Sequence, residues 1–262
     1  MDRLRVATLN VWNRCDPWEQ RLATIREQLE GLAPDVIGLQ EALRGEGFDQ
    51  AASIAEGLGY HVAFGSTREE PIQMGNAILS RFPVLRSEVI ALPDGGTSER
   101  RCLVHAVLDA PMGPLPFFVT HLNWKLHEGH VRCLQVRCVA DAVKARAPIH
   151  EFPPVVVGDF NAEPGADEIR FLGGLTGLGG PCTYFADCFA LVGEGEGVTF
   201  SCGNPFAAQN REPERRIDYV FVRGPDARGR GRPLSARRCF DRPGTNGVFA
   251  SDHYGVVAEV SR

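Results

Sequence analysis

The sequence lacks long apolar runs. None of its 262 residues belongs to a run approaching the roughly 18 apolar residues that can cross a bilayer. The opening residues MDRLRVATLN lack the apolar core of a secretory signal, and the middle of the chain contains no Gly/Ser- or Pro-rich linker and no repeat. We therefore expect no transmembrane segment, a cytoplasmic location, and one catalytic domain over residues 1–262 that acts as a monomer.

Close cysteine pairs are also missing. The chain has eight cysteines, but none forms the C-x-x-C pair that is typical of structural zinc sites. Cys133 and Cys138 are five residues apart, a spacing that does not place both on one face of a helix. Without a secretory signal, thiols stay reduced. We therefore predict free thiols, most of them packed as small apolar side chains, instead of disulfides or a structural metal centre.

Positive charge is scarce overall. There are 28 Lys and Arg against 33 Asp and Glu, a formal net charge of −5. A non-specific nucleic-acid binder usually carries a basic face, so the total charge favours a small substrate over a long duplex. Residues 211–242 are an exception, with ten arginines and five acids. Two interpretations stay open for this basic segment: it faces an anionic substrate, or it is a solvated loop.

The pattern of apolar residues predicts strands and helices in alternation, followed mostly by strands. Helices are expected over about 17–31, 48–58 and 128–145, and residues 173–205 are expected to be irregular. Strands are expected over residues 4–9, 35–40, 60–64, 77–80, 84–91, 101–109, 116–121, 153–159, 217–222 and 255–260. This order predicts a layered α/β sandwich in which helices flank two packed sheets.

Several predicted strands end in polar residues that strand formation does not explain. Those residues are Asn10, Glu41, His121, Asp159 with Asn161, and the pair Asp252 and His253. Active sites of sheet proteins gather where strand ends meet, so we expect these side chains to lie together.

The residue types in this set match the hydrolysis of a phosphate ester. A hard divalent cation needs oxygen ligands, which Asn10, Glu41 and Asp252 can supply. Asp159 suits the activation of a water molecule. The charge that builds on the phosphate needs donors, which Asn161, His121 and His253 can provide, with Asp218 holding His253. Asp218 lies near the start of the predicted strand 217–222.

Seven short words occur in one order along the chain: TLNVW, LQEA, GNAILSR, THLNW, GDFNAEP, RIDYVFV and SDHYGV. Together they resemble the motifs of the endonuclease/exonuclease/phosphatase superfamily, which includes pancreatic deoxyribonuclease, exonuclease III-type nucleases and neutral sphingomyelinases. The words run from Thr8 to Val256. The resemblance implies a four-layered α/β sandwich with two mostly antiparallel sheets, and a requirement for Mg²⁺ or Mn²⁺.

The resemblance also implies a role for each matching position. Asn10 and Glu41 match the metal-side pair, and Asp252 adds a metal ligand. His121 and His253 match the histidines that contact the phosphate. Asp159 matches the carboxylate that orients the attacking water, Asn161 its partner in the transition state, and Asp218 the acid that pairs with His253.

Four further polar residues are harder to assign. Asn76 in GNAILSR and Asn123 in THLNW are candidate substrate contacts. His127 and His130 are either an additional metal or substrate contact or two surface histidines. No loop or helix resembles the DNA-grasping elements of the repair nucleases, and the irregular stretch 173–205 is a candidate wall of the pocket.

The sequence thus predicts a metal-dependent phosphoesterase that acts on a small phosphorylated metabolite or a lipid headgroup. A DNA or RNA nuclease is the alternative. A non-catalytic binding module is less favoured, because all eight expected site positions carry the expected residue types.

Overall fold

The computed structural model describes residues 3–67, 69–148 and 151–262. The helices are α1 (Trp18–Leu32), α2 (Gln50–Ala55), α3 (Gly129–Arg146), α4 (Asp167–Leu172) and α5 (Cys188–Val192). The strands are β1 (Arg3–Asn10), β2 (Val36–Gly45), β3 (Phe48–Asp49), β4 (His61–Gly65), β5 (Ile72–Ser80), β6 (Val84–Ala91), β7 (Cys102–Ala110), β8 (Gly113–His121), β9 (Val155–Asp159), β10 (Ala186–Asp187), β11 (Asp218–Val222), β12 (Pro233–Cys239) and β13 (Gly255–Ser261).

These strands form two sheets. The first has the order β12-β13-β1-β2-β5-β4, with β3 paired to β2, and the second has the order β10-β11-β9-β8-β7-β6. Only the pairs β1–β2 and β8–β9 are parallel among the named strands of the described chain. The predicted pair of mostly antiparallel sheets is therefore confirmed.

Alternating side chains divide the interior into layers. In β1, Leu4 and Val6 point into the cluster between the sheets, whereas Ala7 and Leu9 pack under the helices on the outer face. In β9, Val157 points between the sheets and Val156 packs on the α3 side. Successive strand residues face opposite sides, so each sheet buries both faces. The result is the expected four-layered α/β sandwich.

Some predicted boundaries were wrong. The helix expected over 48–58 is shorter, because Asp49 lies in a strand and its side chain accepts a hydrogen bond from the Ala52 N–H to begin α2. Strand β2 continues past its expected end at Gln40 to Gly45. Helix α4 and strand β12 were not expected. Within the described residues, no helix is both long and apolar enough to span a membrane.

Two glycines allow close backbone approaches near the strand ends. A Cβ on Gly38 of β2 would lie 2.4 Å from a methyl group of Val157, on the facing sheet. A Cβ on Gly158 would lie 2.0 Å from the carbonyl oxygen of Thr120 on β8, and Gly158 has φ +152°. Glycine is therefore required at Gly158 for β8 and β9 to pair beside the site.

We expect Gly158→Ala to lower the free energy of unfolding by about 3 kcal/mol, because its methyl group would collide with backbone and not with a movable side chain. Urea unfolding followed by circular dichroism measures this change. Gly96→Ala is the control, since Gly96 also has a positive φ but no atom within 4 Å of the added Cβ. Equal losses in the two variants would contradict the steric explanation.

Candidate active site

Three neighbouring strands of the second sheet place polar residues side by side. His121 at the end of β8 is paired with Asp159 at the end of β9, and Asp159 is paired with Asp218 at the start of β11. All three are buried. The His121 Nε2 lies 3.5 Å from the Asp159 Oδ2. The pairing of these strands thus places His121, Asp159 and Asp218 side by side at one end of β8, β9 and β11.

The first sheet contributes Asn10 and Glu41. Asn10 ends β1, while Glu41 lies in an irregularity of β2 between Leu39 and Ala42, with φ +59°. Such a bulge changes the direction of a side chain within a strand. The Asn10 Nδ2 donates to Glu41 Oε1 at 3.2 Å and to Asp159 Oδ2 at 3.1 Å. The bulge therefore turns Glu41 toward Asn10, and one amide links the two sheets.

The orientation of Asn10 differs from its predicted role. Its Oδ1 accepts a hydrogen bond from the Trp12 N–H at 2.9 Å, and its NH₂ group lies between the two carboxylates. An amide in this orientation offers donors to Glu41 and Asp159 instead of an oxygen ligand to a cation. Metal ligation by the Asn10 oxygen stays a prediction, and in this orientation the amide instead supports Glu41 and Asp159.

The segment before β13 contributes Asp252 and His253. The Ser251 Oγ donates to Asp252 Oδ1 at 3.1 Å and accepts from the His253 N–H at 3.2 Å. The His253 Nδ1 lies 3.0 Å from Asp218 Oδ2, and its Nε2 lies 3.8 Å from Asp159 Oδ2. Asp218 therefore holds one ring nitrogen of His253, and the other nitrogen faces the Asp159 carboxylate.

Burial and mutual repulsion perturb the acids. Burial, followed by the charge of Asp218, raises the pKa of Asp159 to about 7. Burial also raises the pKa of Asp252 to about 6, and the nearby Glu41 charge adds to this rise. Carboxyl groups crowded in a protein interior cannot all ionise without compensating positive charge.

The two histidines are perturbed in opposite directions. Burial, the Arg101 charge and His253 hold the pKa of His121 well below its usual range. Burial also disfavours the charged form of His253, but the negative charges of Asp218, Asp159 and Asp252 outweigh it and raise the pKa of His253 well above its usual value. The surroundings therefore favour the neutral form of His121 and the protonated form of His253, and either form can donate a hydrogen bond.

An open cleft of about 260 Å³ is lined by Glu41, His121, Asp159, Asp252 and His253. Trp12 and Trp124 form part of its wall, and Phe200 contacts the ring of His253 edge-on with ring centroids 5.1 Å apart. Phe200 belongs to the stretch 173–205 that was expected to contribute a wall. Trp124 is half exposed, and its indole N–H donates to Glu99 Oε1 at 3.1 Å.

Asn161 also lines the cleft. It has φ +51°, a left-handed conformation that asparagine tolerates better than most residues. Its N–H donates to Asp159 Oδ1 at 2.9 Å, and its Nδ2 donates to the Leu122 carbonyl at 3.3 Å. The turn after β9 thus ties Asn161 to Asp159 and keeps its side chain at the cleft.

Asn76 and Asn123, the two candidate substrate contacts, lie outside the cleft that Asn161 lines. Asn76 is buried, donates to the Cys102 carbonyl at 3.0 Å, and lines a small pocket with Glu41 and His121 beside the cleft. Asn123 is fully buried, and its Oδ1 accepts from the Lys125 N–H at 3.0 Å. Asn123 therefore shapes the β8–α3 loop, and its role as a substrate contact stays a prediction.

His127 and His130 are exposed and do not line the cleft. Several arginines of the basic segment pair with acids. Arg215 lines the cleft but is paired with Glu212, and Arg216 is paired with Asp187. Arg230 pairs with Asp226, away from the cleft residues. The basic segment is therefore dispersed, and much of its charge is locally balanced.

Sequence reasoning missed the residues that hold the site in place. Arg21 is fully buried and donates to backbone carbonyls of residues 11, 12, 13, 15 and 250. Asn13 donates to Glu41, and Thr199 accepts from the N–H of Asp218. The only sequence signal for Arg21 is a charged residue on the apolar side of a predicted helix.

The donor set suits a hard cation with oxygen ligands. Glu41, Asp159 and Asp252 line the cleft, and the Asp218 Oδ1 behind His253 is buried without a hydrogen-bond partner. Asp159, Asp218 and His253 have ligand atoms within 4.8 Å of one another, and they are the one such group among the described residues. The hydrogen bond between Asp218 and His253 accounts for part of that compactness.

The fold and the site define a two-sheet α/β sandwich with a strand-end cleft of carboxylates and histidines. The sequence model of the Endonuclease/Exonuclease/phosphatase family matches residues 7–253. The chain therefore belongs to the endonuclease/exonuclease/phosphatase family, whose members are divalent-metal-dependent hydrolases of phosphate esters. No curated sequence matches the chain.

Solved structures with the same fold include an endonuclease/exonuclease/phosphatase from Beutenbergia cavernae DSM 12333. It is 26% identical, with 99% of this chain and 71% of that chain covered and a TM-score of 0.74. D. rerio TDP2 complexed with single strand DNA product is 21% identical over all of both chains, with a TM-score of 0.79. The human Nocturnin catalytic domain with bound sulfate anion is 20% identical, with 99% and 93% covered and a TM-score of 0.72.

Proposed function

We propose that this protein is a divalent-metal-dependent phosphoesterase that hydrolyses a phosphate ester by in-line attack of water. The observation that carries the proposal is the buried arrangement of Asp159 between His121 and His253, with Asp218 behind His253. One acid and two histidines that face the same cleft can hold a water molecule and a phosphate next to each other.

Each residue then has a defined task. Glu41 and Asp252 would hold a cation, Mg²⁺ or Mn²⁺, which would neutralise charge on the phosphate oxygens. The Asp159 carboxylate orients the attacking water and takes its proton. His121, His253 and Asn161 donate hydrogen bonds to the charge that develops on the phosphate.

Supporting groups keep these residues in place. Asp218 fixes the ring of His253 and favours its protonated form. Asn10 spans Glu41 and Asp159, so it links the cation side of the site to the water side. Asn76 borders the small pocket beside His121 and is the proposed additional contact to the substrate.

We propose a compact substrate, a small phosphorylated metabolite or a lipid headgroup, in preference to a nucleic acid. The cleft carries Glu41, Asp159 and Asp252, and its arginine, Arg215, is paired with Glu212. Such a lining can accept one phosphate with a cation, but it offers little attraction to a chain of phosphates. The single strand DNA product bound to D. rerio TDP2 keeps a nuclease as the alternative outcome.

Hydrolysis of a substrate panel tests the proposal. The panel contains bis-p-nitrophenyl phosphate, p-nitrophenyl phosphate, a lipid headgroup diester, supercoiled plasmid and single-stranded oligonucleotides, each with Mg²⁺, Mn²⁺ or EDTA. We expect EDTA-sensitive hydrolysis with the highest kcat/KM on a small diester or monoester. A preference for plasmid or oligonucleotide would make the protein a nuclease, and no hydrolysis by the folded protein would favour a binding module.

We expect Glu41→Ala to raise the Mg²⁺ concentration needed for half-maximal activity by at least about tenfold, since losing a ligand or its support typically costs 10–100-fold in metal affinity. The measurement is a Mg²⁺ titration of initial rate on the best panel substrate. Glu46→Ala, a nearby exposed acid, serves as the control. An unchanged titration curve in Glu41→Ala would assign the cation to other ligands.

The proposal includes one catalytic domain over residues 1–262 that acts as a cytoplasmic monomer. All eight cysteines are free, which suits a reducing compartment. Light scattering on the eluted protein would test the monomer, and a mass near 57 kDa, twice the 28.6 kDa of one chain, would contradict it.

A further inference from the structure

The Glu41 carboxylate is held from two sides by amide groups. Its Oε1 accepts from Asn10 at 3.2 Å, and its Oε2 accepts from the Asn13 Nδ2 at 3.0 Å. Asn13 lies three residues after the end of β1 and lines the cleft. A carboxylate with one hydrogen bond on each oxygen keeps free lone pairs in a fixed direction.

Asn13 is itself fixed more firmly than an ordinary loop residue. Its carbonyl accepts from the Arg21 Nη2 at 3.0 Å and from the Gln50 Nε2 at 2.8 Å. Both donor side chains are buried. The Oε1 of Gln50 in turn accepts from the N–H of Leu43 at 2.7 Å, two residues beyond Glu41 in β2. The backbone of Asn13 is therefore tied to the strand that carries Glu41.

The side chain of Asn13 is oriented as well. Its Oδ1 accepts from the Cys15 thiol at 3.3 Å, which leaves the Nδ2 directed at Glu41. The residue has φ +37°, a left-handed conformation in which asparagine is one of the favoured non-glycine residues. The left-handed backbone and the two side-chain hydrogen bonds therefore hold the Asn13 amide in one orientation.

We propose that Asn13 is a positioning residue that sets the direction of the Glu41 carboxylate for cation binding. This inference rests on the proposed function, because it assigns Glu41 to the cation. Removing a group that hydrogen-bonds to a metal ligand and orients it typically weakens metal affinity by 10–100-fold. Asn13 therefore acts on the cation through its hydrogen bond to Glu41.

The test measures Mn²⁺ binding directly, from the electron paramagnetic resonance signal of unbound Mn²⁺. The variants are Asn13→Gly, which keeps the left-handed backbone accessible, and Asn13→Ala. We expect both to raise the Kd for Mn²⁺ by about 10-fold or more, as is usual for supporting residues of metal ligands. Asn246→Gly, in an exposed loop beside α1, is the control and should keep the wild-type Kd.

A double-mutant cycle separates positioning from a general effect on structure. In a Glu41→Gln background, removing the Asn13 amide should change the Kd less than twofold, because the group it orients is gone. A full 10-fold loss in that background would overturn the proposal, as would a wild-type Kd in both Asn13 variants. If the wild-type protein itself bound no Mn²⁺, the metal-dependent function would fail instead, and thermal melting would confirm that each variant is folded.

Discussion

Asp159→Asn is expected to remove nearly all turnover, by roughly 10³-fold in kcat, within the range usual for a general base. The substitution keeps the shape of the side chain but deletes the group that takes the proton. It also deletes a buried charge beside Asp218, so we expect the thermal midpoint to hold or to rise. A loss of rate together with retained stability would separate chemistry from folding.

The pH dependence sharpens this expectation. Burial and the Asp218 charge raise the pKa of Asp159 to about 7, and only the ionised carboxylate can accept a proton. The rate of the wild-type enzyme should therefore fall as the pH drops through the pKa of Asp159, which a bound cation would bring below its metal-free value, while the small residual rate of Asp159→Asn should lack that fall. Measuring kcat/KM from about pH 5.5 to 8.5 in both proteins makes the comparison.

Asp226→Asn is the matched control for Asp159→Asn. Asp226 caps a surface loop and pairs with Arg230, and it lies outside the cleft. It should keep the wild-type rate and pH profile. Turnover by Asp159→Asn at the level of this control would remove Asp159 from the reaction.

The sequence predicted which polar residues gather at the strand ends better than it predicted the residues that surround them. His121, Asp159 and Asp218 could be found because each lies at an end of a strongly apolar strand, and strand pairing brings such ends together. The sequence also predicted that Glu41 lies near these residues. Its orientation depends on a bulge in β2, which no local sequence pattern indicates.

Other features depend on tertiary contacts that a sequence does not display. The sequence does not show which groups the Asn10 amide contacts, because these are the Trp12 N–H and two carboxylates brought to it by the fold. Strand β12 carries Arg237 and Arg238 and forms the edge of its sheet, so it lacks the apolar alternation that marks a strand. Helix α4 has only six residues, too few to show a helical period.

Arg21 is the clearest example of a residue whose importance is invisible in the sequence. Its guanidinium is fully buried and donates to five backbone carbonyls, four of them in residues 11–15 and one at Ala250. Backbone carbonyls exist at every position, so a side chain that binds them leaves no motif. Burial lowers the pKa of Arg21 to about 10, which still leaves it charged at neutral pH.

The two segments that Arg21 joins both carry site residues. Residues 11–15 follow Asn10 and include Asn13, and Ala250 precedes Ser251 and Asp252. These segments support the two carboxylates proposed for the cation, because Asn13 donates to Glu41 and Ser251 donates to Asp252. We therefore expect the Arg21 side chain to set the spacing between these two carboxylates.

We expect Arg21→Met to lower the free energy of unfolding by about 3 kcal/mol or more, because several carbonyls would lose their donor and each buried unpaired group costs about 1–3 kcal/mol. We also expect kcat/KM to fall by about 100-fold, since displacements near 1 Å in a catalytic site have effects of that size. Urea unfolding and initial-rate measurements give the two quantities.

Arg26→Met provides the comparison on the same helix. Arg26 also donates to backbone carbonyls, those of Ser53, Ile54 and Glu56, but it is only half-buried and it ties α1 to α2 instead of to the site. Its loss should cost about 1 kcal/mol, the usual net value of such hydrogen bonds, and leave kcat/KM unchanged. Parallel losses of activity in the two variants would mean that α1 supports the site as a whole, whereas a selective loss in Arg21→Met would assign the spacing of the cation ligands to this one guanidinium.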